Sequence, residues 1–380
     1  MAIAIDFELE DDQKAFRDAV LEFGRRELAS TREDGFSRES WRKCADFGIQ
    51  GLPVPVEYGG LGARPTTIVL ALEALGYGSG DNGLIFSLNA QMWACEMPIL
   101  RFGSAEQKRR YLPGLCDGSL IAAHGMSEPG SGSDAFGLRA TAAKKGDRYV
   151  LNGTKTFVTN APEADLLLLF ATTRPDLPFA GLCAFLVERD TPGVTVGPPL
   201  EKMGLLNSPM SEIFLDDCEL AAEQLLGRAG GGMAVFSSSM DWERGCILAS
   251  AVGTMQRQLE RCIAYAQERE QFGKPIASFQ AVSHRIVDMK VRVDTARLLL
   301  YRLGALLERD QATALDAALT KLYLSEAFLQ SSLDALQVHG GYGYMKEYEL
   351  EREVRDAIGS RIYSGTSDLQ RNIIARQLGL

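Results

Sequence analysis

Glu243, in the segment Ser239-Met-Asp-Trp-Glu-Arg-Gly-Cys246, is a carboxylate able to take a proton from carbon if burial lifts its pKa toward the working pH. By residue type alone it is more simply a surface charge stabilising a helix start. Near the C-terminus, Arg361-Ile-Tyr-Ser-Gly-Thr-Ser-Asp-Leu-Gln-Arg371 offers Ser364, whose hydroxyl is far too weak a base for such a proton. Arg269, in Glu268-Arg-Glu-Gln-Phe-Gly-Lys-Pro-Ile-Ala-Ser-Phe-Gln280, carries a planar fork that can bind phosphate oxygens bidentately, although a lone arginine is commonly a solvated helix residue. The Gly/Ser-rich run His124-Gly-Met-Ser-Glu-Pro-Gly-Ser-Gly-Ser-Asp134 can bring backbone groups to a ligand or can simply turn. Asn152-Gly-Thr-Lys-Thr-Phe-Val-Thr-Asn160 has the composition of a plain edge strand. In Gln337-Val-His-Gly-Gly-Tyr-Gly-Tyr344, small residues allow either close approach of a helix end to a cofactor or a helix C-cap. No Gly-x-Gly-x-x-Gly follows a strand, so a Rossmann-bound dinucleotide is unsupported.

These residues need elements to hold them. The chain has 380 residues, enough for two or three domains with a large core, and its 46% hydrophobic and 24% charged fractions are those of an ordinary globular protein. A formal charge of -10 argues against non-specific nucleic-acid binding. Seven cysteines without a Cys-x-x-Cys pair, and histidines only at 124, 284 and 339, give no metal-ligand spacing and suit reduced thiols in a cytoplasmic enzyme. The acidic N-terminus lacks a basic n-region, and no apolar run approaches the ~20 residues of a membrane span.

Residues 1–120 read as helical: Asp11-Asp12 can cap a helix carrying Phe16, Val20, Phe23 and Leu28 at helical spacing. Over 121–230, short apolar runs alternate with turn signals (Tyr149-Val-Leu, Thr156-Phe-Val-Thr, Leu166-Leu-Leu-Leu-Phe, Leu182-Cys-Ala-Phe-Leu-Val, Gly193-Val-Thr-Val), which predicts an antiparallel sandwich or barrel. Over 231–380 the helical pattern returns. Val282, Ile286, Met289, Val293, Ala296, Leu300, Leu303 and Leu307 form the stripe of a long bundle helix, a packing face and not a cofactor contact.

The motifs at 124–134, 152–160, 268–280, 337–344 and 361–371 occur in an order and spacing that resemble the acyl-CoA dehydrogenase flavoproteins. That fold has an N-terminal α-helical domain, a middle antiparallel β domain and a C-terminal four-helix bundle. The resemblance implies FAD, with Met126, Ser127, Gly132 and Ser133 lining the flavin, Phe157 shielding it and Thr159 reaching its N5 region. It also implies a homotetramer in which Arg269, Phe272 and Gln280, with Gln337 and Gly341, reach the FAD of a neighbouring subunit, and Thr366 and Asp368 its diphosphate end. Asp368 is shorter than the family's usual residue there, and His124 is given no role. In most of the family the position of Ser364 holds the glutamate base. A minority, the isovaleryl-CoA dehydrogenases among them, places the base where Glu243 stands. Ser364 then keeps only its backbone N–H as a donor to the thioester carbonyl, while Arg244 orients the loop or binds the substrate's arm.

The tracts Thr159–Asp165, Ser239–Cys246, Ser364–Gln370 and Ile373–Leu380 look similar to the branch that oxidises L-prolyl groups on a peptidyl carrier protein in secondary metabolite biosynthesis. The expected activity is α,β-dehydrogenation of an acyl thioester on a phosphopantetheine carrier, with electrons passing to an acceptor flavoprotein or O2. Two other activities of the same fold stay open: a short or branched-chain acyl-CoA dehydrogenase, and a flavin N-monooxygenase with no need of a thioester base.

Overall fold

The computed structural model describes residues 9–28 and 35–380; the first eight residues, on which the reading of an acidic N-terminus largely rests, lie outside the described residues. Six helices come first: α1 (Asp11–Glu27), α2 (Arg38–Phe47), α3 (Pro65–Gly78), α4 (Asn82–Gln91), α5 (Met97–Phe102) and α6 (Ala105–Cys116). A π-helical turn, Met92–Glu96, joins α4 to α5. Asp11 and Asp12 do not cap α1 as expected. Glu10 holds the N-cap, where its N–H donates to Gln13 Oε1 at 3.1 Å, and the two aspartates occupy the first turn.

The middle of the chain forms β1 (Ala122–Gly125), β2 (Thr141–Lys145), β3 (Arg148–Thr159), β4 (Leu166–Thr172), a short α7 (Pro178–Gly181), β5 (Leu182–Glu188), β6 (Val194–Val196), β7 (Met210–Ala221) and β8 (Leu225–Leu226). They build an eight-stranded sheet in the order β6-β7-β3-β2-β4-β5-β8, with β1 beside β4. The sheet is mainly antiparallel, but β1 and β2 both pair with β4 in parallel. The two runs around Tyr149 and Phe157, read as separate strands, are one strand, β3, lying between β2 and β7 and not at an edge. The register is irregular just after the first run, where Leu151 pairs with Cys218 and Gly153 with Leu215, and a bulge lies within the second: Lys155 pairs with Ile213 and Val158 with Ser211, so two residues of β3 face one of β7.

The remaining helices are α8 (Gly232–Cys246), α9 (Ala249–Glu268), α10 (Gln280–Glu308), α11 (Ala314–His339), α12 (Leu350–Ser360) and α13 (Ser367–Gln377); between α9 and α10 lies a hairpin of β9 (Glu270–Gln271) and β10 (Lys274–Pro275). Met289, Val293, Ala296, Leu300 and Leu303 of α10 are buried, so the predicted stripe is a packing face. One apolar core joins the first helices to the last, with Trp41, Leu72 and Trp93 in the same cluster as Leu259, Val293 and Leu324. A second lies in the sheet around Phe170 and Phe185. All seven cysteines are free and buried. Among the described residues, no helix is long and apolar enough to cross a membrane.

The first and last helical regions meet at α3 and α9, whose backbones approach too closely for side chains. A Cβ on Gly76 would lie 2.0 Å from the Ser250 carbonyl oxygen, and one on Gly253 1.9 Å from that of Glu73. Gly253→Ala is therefore expected to force the two helices apart and to destabilise the fold by about 2 kcal/mol or more, read as a lowered thermal midpoint. An unchanged midpoint would contradict this crossing.

Candidate active site

Helix α8 is anchored by two ring contacts. Phe236 stacks on His124 of β1 with centroids 6.1 Å apart, and Trp242 stacks on Trp93 of the π-turn at 5.9 Å. His124 also meets Phe170 edge-on, and burial, with the nearby Lys155 charge, pushes its pKa down to about 4. A neutral aromatic ring is what this contact needs, so His124 ties the sheet to the helix that carries Glu243.

Glu243 is not a surface charge at a helix start. It sits in the last turn of α8, only 9% exposed. Its Oε1 accepts a hydrogen bond from the Ser364 hydroxyl at 2.5 Å, while Oε2 is buried without a partner among the described residues. Burial raises the Glu243 pKa above the ordinary carboxylate value, opposed by the Ser364 hydrogen bond and by the charges of Arg244 and Lys321. Ser364 thus supplies more than a backbone donor, since its side chain orients the carboxylate.

The Ser364–Gly365 turn is built with both residues at positive φ, 55° and 86°. Its carbonyls face protein donors. Arg244 Nε reaches Ser364 O at 3.4 Å, Gln370 Nε2 reaches Ser364 O at 3.2 Å and Gly365 O at 2.9 Å, and Lys321 Nζ reaches Gly365 O at 2.7 Å. The Ser364 N–H, by contrast, has no acceptor among the described residues. A carboxylate whose second oxygen has no partner among the described residues, on α8, and an N–H without an acceptor, on the Ser364 turn, are thus held together by the Ser364 side chain, the pairing that proton removal next to a carbonyl requires. Arg244, expected to orient the loop or bind substrate, makes the first of these contacts.

A second group gathers at the β3 bulge. The Thr156 N–H donates not to the ladder but to Ser127 O at 2.9 Å, which fastens the Gly/Ser loop to the strand. Beneath it, Lys155 Nζ pairs with Glu128 at 2.8 Å and reaches Met126 O at 3.3 Å; Glu128 in turn accepts from the backbone N–H groups of Arg139 and Ala140. Phe157, at φ 54°, is 66% exposed, and the position a Cβ would take on Gly132 meets nothing within 4 Å. Met126 is buried, Thr159 half-buried and Ser133 exposed. A strained, exposed aromatic ring over an open Gly/Ser loop fits a planar ring ligand.

The third group is on the surface. Arg269 follows α9 and stands over the Tyr342 ring at 5.7 Å, so it meets the segment of Gly341. Phe272, 93% exposed at φ 53°, meets Phe279 edge-on beside Gln280. Arg269, Gln280, Gln337 and Gly341 are all exposed, and Gly340 caps α11. Thr366 accepts from the Leu369 N–H as N-cap of α13, and Asp368 is exposed and paired with Arg371. Both line a surface pocket with Ile358, Arg361 and Ile362.

Sequence reasoning missed Lys321, Gln370 and the hydroxyl role of Ser364. A signal existed for Lys321: it lies one helical turn from Ala317, Ala318 and Leu324 on the buried face of α11, where a lysine is out of place. Among the described residues, no cluster of side chains suits a metal.

The family profiles described as the acyl-CoA dehydrogenase N-terminal, middle and C-terminal domains match residues 10–119, 123–218 and 230–379. The chain is 42% identical over 380 residues to an L-prolyl-[peptidyl-carrier protein] dehydrogenase of Pseudomonas fluorescens, covering 99% of this chain and 100% of that one. It superposes with a TM-score of 0.97 on the prolyl acyl carrier protein oxidase AnaB, 48% identical, covering 98% of this chain and 100% of AnaB. The TM-score is also 0.97 for PigA solved with FAD and proline, 43% identical over 99% of this chain and 100% of PigA.

Proposed function

The chain belongs to the acyl-CoA dehydrogenase family, and on that premise we propose that it is an FAD-dependent dehydrogenase of a carrier-tethered acyl thioester, with L-prolyl as the acyl group. The observation that carries the reading is the buried Glu243 carboxylate, held by Ser364 through one oxygen and unpartnered at the other. Glu243 takes the Cα proton with that second oxygen. The Ser364 N–H donates to the thioester carbonyl as enolate charge develops on its oxygen, so the base on α8 and the donor on the Ser364 turn act on the two ends of the enolate that forms. FAD, when bound, supplies the two-electron acceptor for the hydride that leaves Cβ. Each round removes one proton and one hydride; converting a prolyl ring to a pyrrole takes two rounds.

Phe157, Met126, Ser127, Gly132, Ser133 and Thr159 would hold the flavin ring, since they form the open loop and exposed aromatic of the β3 bulge. Arg269, Phe272, Gln280, Gln337 and Gly341, with Thr366 and Asp368, would hold the nucleotide end across a subunit boundary of a homotetramer. The exposure of Phe272, which has no reason to face water on an isolated subunit, supports that reading. The chain divides, on this view, at about residues 120 and 230. Because Ser364 is smaller than the glutamate usual in the family at its position, a cyclic α-substituent has room beside the reacting carbon.

Purified protein is expected to be yellow and tetrameric by light scattering; a monomer that takes up no FAD on reconstitution would overturn the cofactor and assembly reading. Glu243→Gln keeps the shape but not the proton acceptor, so flavin bleaching in a single turnover should slow by at least ~100-fold with FAD still bound; a wild-type rate would mean another base. Because burial raises the Glu243 pKa, the wild-type rate should rise with pH through that value as the carboxylate ionises. Prolyl, isovaleryl and butyryl groups should be compared on a carrier and on CoA by bleaching and product mass. Prolyl-carrier should turn over best, with a final loss of about 4 Da for four hydrogens. Efficient isovaleryl-CoA oxidation without carrier activity would instead identify an acyl-CoA dehydrogenase.

A further inference from the structure

Lys321 is a buried cation that the reaction as described leaves unused. It sits in the middle of α11 at 0% exposure, and the hydrogen bond to Gly365 O at 2.7 Å is its contact with the turn of Ser364. Its ammonium also lies 6.0 Å from the Tyr363 ring centroid. Burying a lysine is costly, and a single neutral carbonyl is poor compensation, so packing alone is a weak account of it.

The contacts around it form a frame. Three donors from three helices, Arg244 of α8, Lys321 of α11 and Gln370 of α13, converge on the two consecutive carbonyls of Ser364 and Gly365. With both carbonyls turned inward onto these donors, the Ser364 N–H is left without an acceptor among the described residues and the Ser364 hydroxyl reaches Glu243. Two successive residues in the left-handed region, one of them not glycine, need such support to persist.

We propose that Lys321 is a positioning residue for this reaction, which clamps the Ser364–Gly365 turn through the Gly365 carbonyl and sets the electrostatics of the base by placing a positive charge behind Glu243. The proposal rests on Glu243 being the base. Of the charged groups around the ammonium, Arg244 and Arg361 repel it while Glu243 and Glu326 attract it; burial is the largest influence, and together these pull its pKa down to about 8. From the other side, Arg244 and Lys321 both favour the ionised form of Glu243, against the burial that disfavours it. The sign follows. Removing the Lys321 charge takes away one of the two opposing cations, so Glu243 ionises at a higher pH and the acid limb of the rate profile moves upward.

The test uses FAD-loaded, full-length protein with the carrier-bound substrate and compares wild type, Lys321→Met and Lys321→Gln. Lys321→Met removes both charge and clamp. Its plateau rate of flavin bleaching should fall about 10- to 100-fold, the order expected when a reacting group is misplaced, with KM little changed and the acid limb shifted to higher pH. Lys321→Gln keeps an amide donor near Gly365 and removes only the charge, so the acid limb should shift while most of the plateau rate survives. If the methionine variant does not fold, the glutamine variant decides by its acid limb alone. A lower thermal midpoint with an unshifted acid limb in both variants would make Lys321 merely structural and overturn the proposal. Glu243→Gln run in parallel separates the two levels. If it bleaches at the wild-type rate, the base assignment fails and this proposal fails with it. If it is dead while both lysine variants keep the wild-type profile, only the role of Lys321 is lost.

Discussion

A carboxylate inside a protein must be neutral, paired or held by donors, and at Glu243 the chain answers this constraint in a partial way. One oxygen is satisfied by a serine hydroxyl and the other by no group among the described residues. Full pairing with Arg244 would have lowered the pKa and tied up both oxygens. No support at all would have left the group protonated and idle. The observed arrangement lies between these, and much of the nearby structure maintains it. The Trp93–Trp242 stack and the His124–Phe236 contact fix α8, and the Ser364 turn is shaped so that its side chain, and not its carbonyl, faces the carboxylate.

The same arrangement sets stability against activity. Between the ordinary carboxylate pKa and the raised value of Glu243, the folded state binds a proton that the unfolded state does not. Stability contributed by this group is therefore fully present at low pH and is lost as pH rises through the folded pKa, the same range in which the role proposed for Glu243 requires it to ionise. The adjacent cations moderate that conflict by lowering the pH at which the carboxylate ionises. A second buried acid, Glu96, shows the contrast. On the π-turn its pKa is pushed up to about 8 by burial, opposed only by a hydrogen bond from the neutral Gln91, so it stays largely protonated at neutral pH.

Much of this was legible in the sequence, for identifiable reasons. The stripe from Val282 to Leu307 repeats at helical spacing, and Leu166–Phe170 is a continuous apolar run, so the bundle helix and the buried strand were readable from period alone. The absence of a carboxylate at Ser364 directed attention to Glu243, and the structure brings the two side chains into hydrogen-bond contact. Three things were not readable. Strand β3 joins two runs that look like separate strands, because Asn152-Gly-Thr-Lys155 between them shows no apolar alternation although Gly153, Thr154 and Lys155 still pair with β7. The place of Glu243 on α8 was misjudged, because Gly230-Gly-Gly marks where that helix can begin but not how far it runs. The partners of Lys321 and Gln370 are the third: a lysine on an apolar helix face signals burial, but only tertiary packing brings it and Gln370, 78 and 127 positions beyond Glu243, to the turn of Ser364.

The central claim is that Glu243 removes a proton from Cα, and it is tested most directly when proton removal is separated from oxidation. A carrier-bound acyl thioester with an α-hydrogen but no β-hydrogen can lose and regain its proton without passing electrons onward. Incubated in D2O with the FAD-loaded protein, it should exchange its α-hydrogen for deuterium, followed by mass or proton NMR. The account predicts ready exchange by wild type and at least ~100-fold slower exchange by Glu243→Gln. Equal exchange by the two proteins would contradict it.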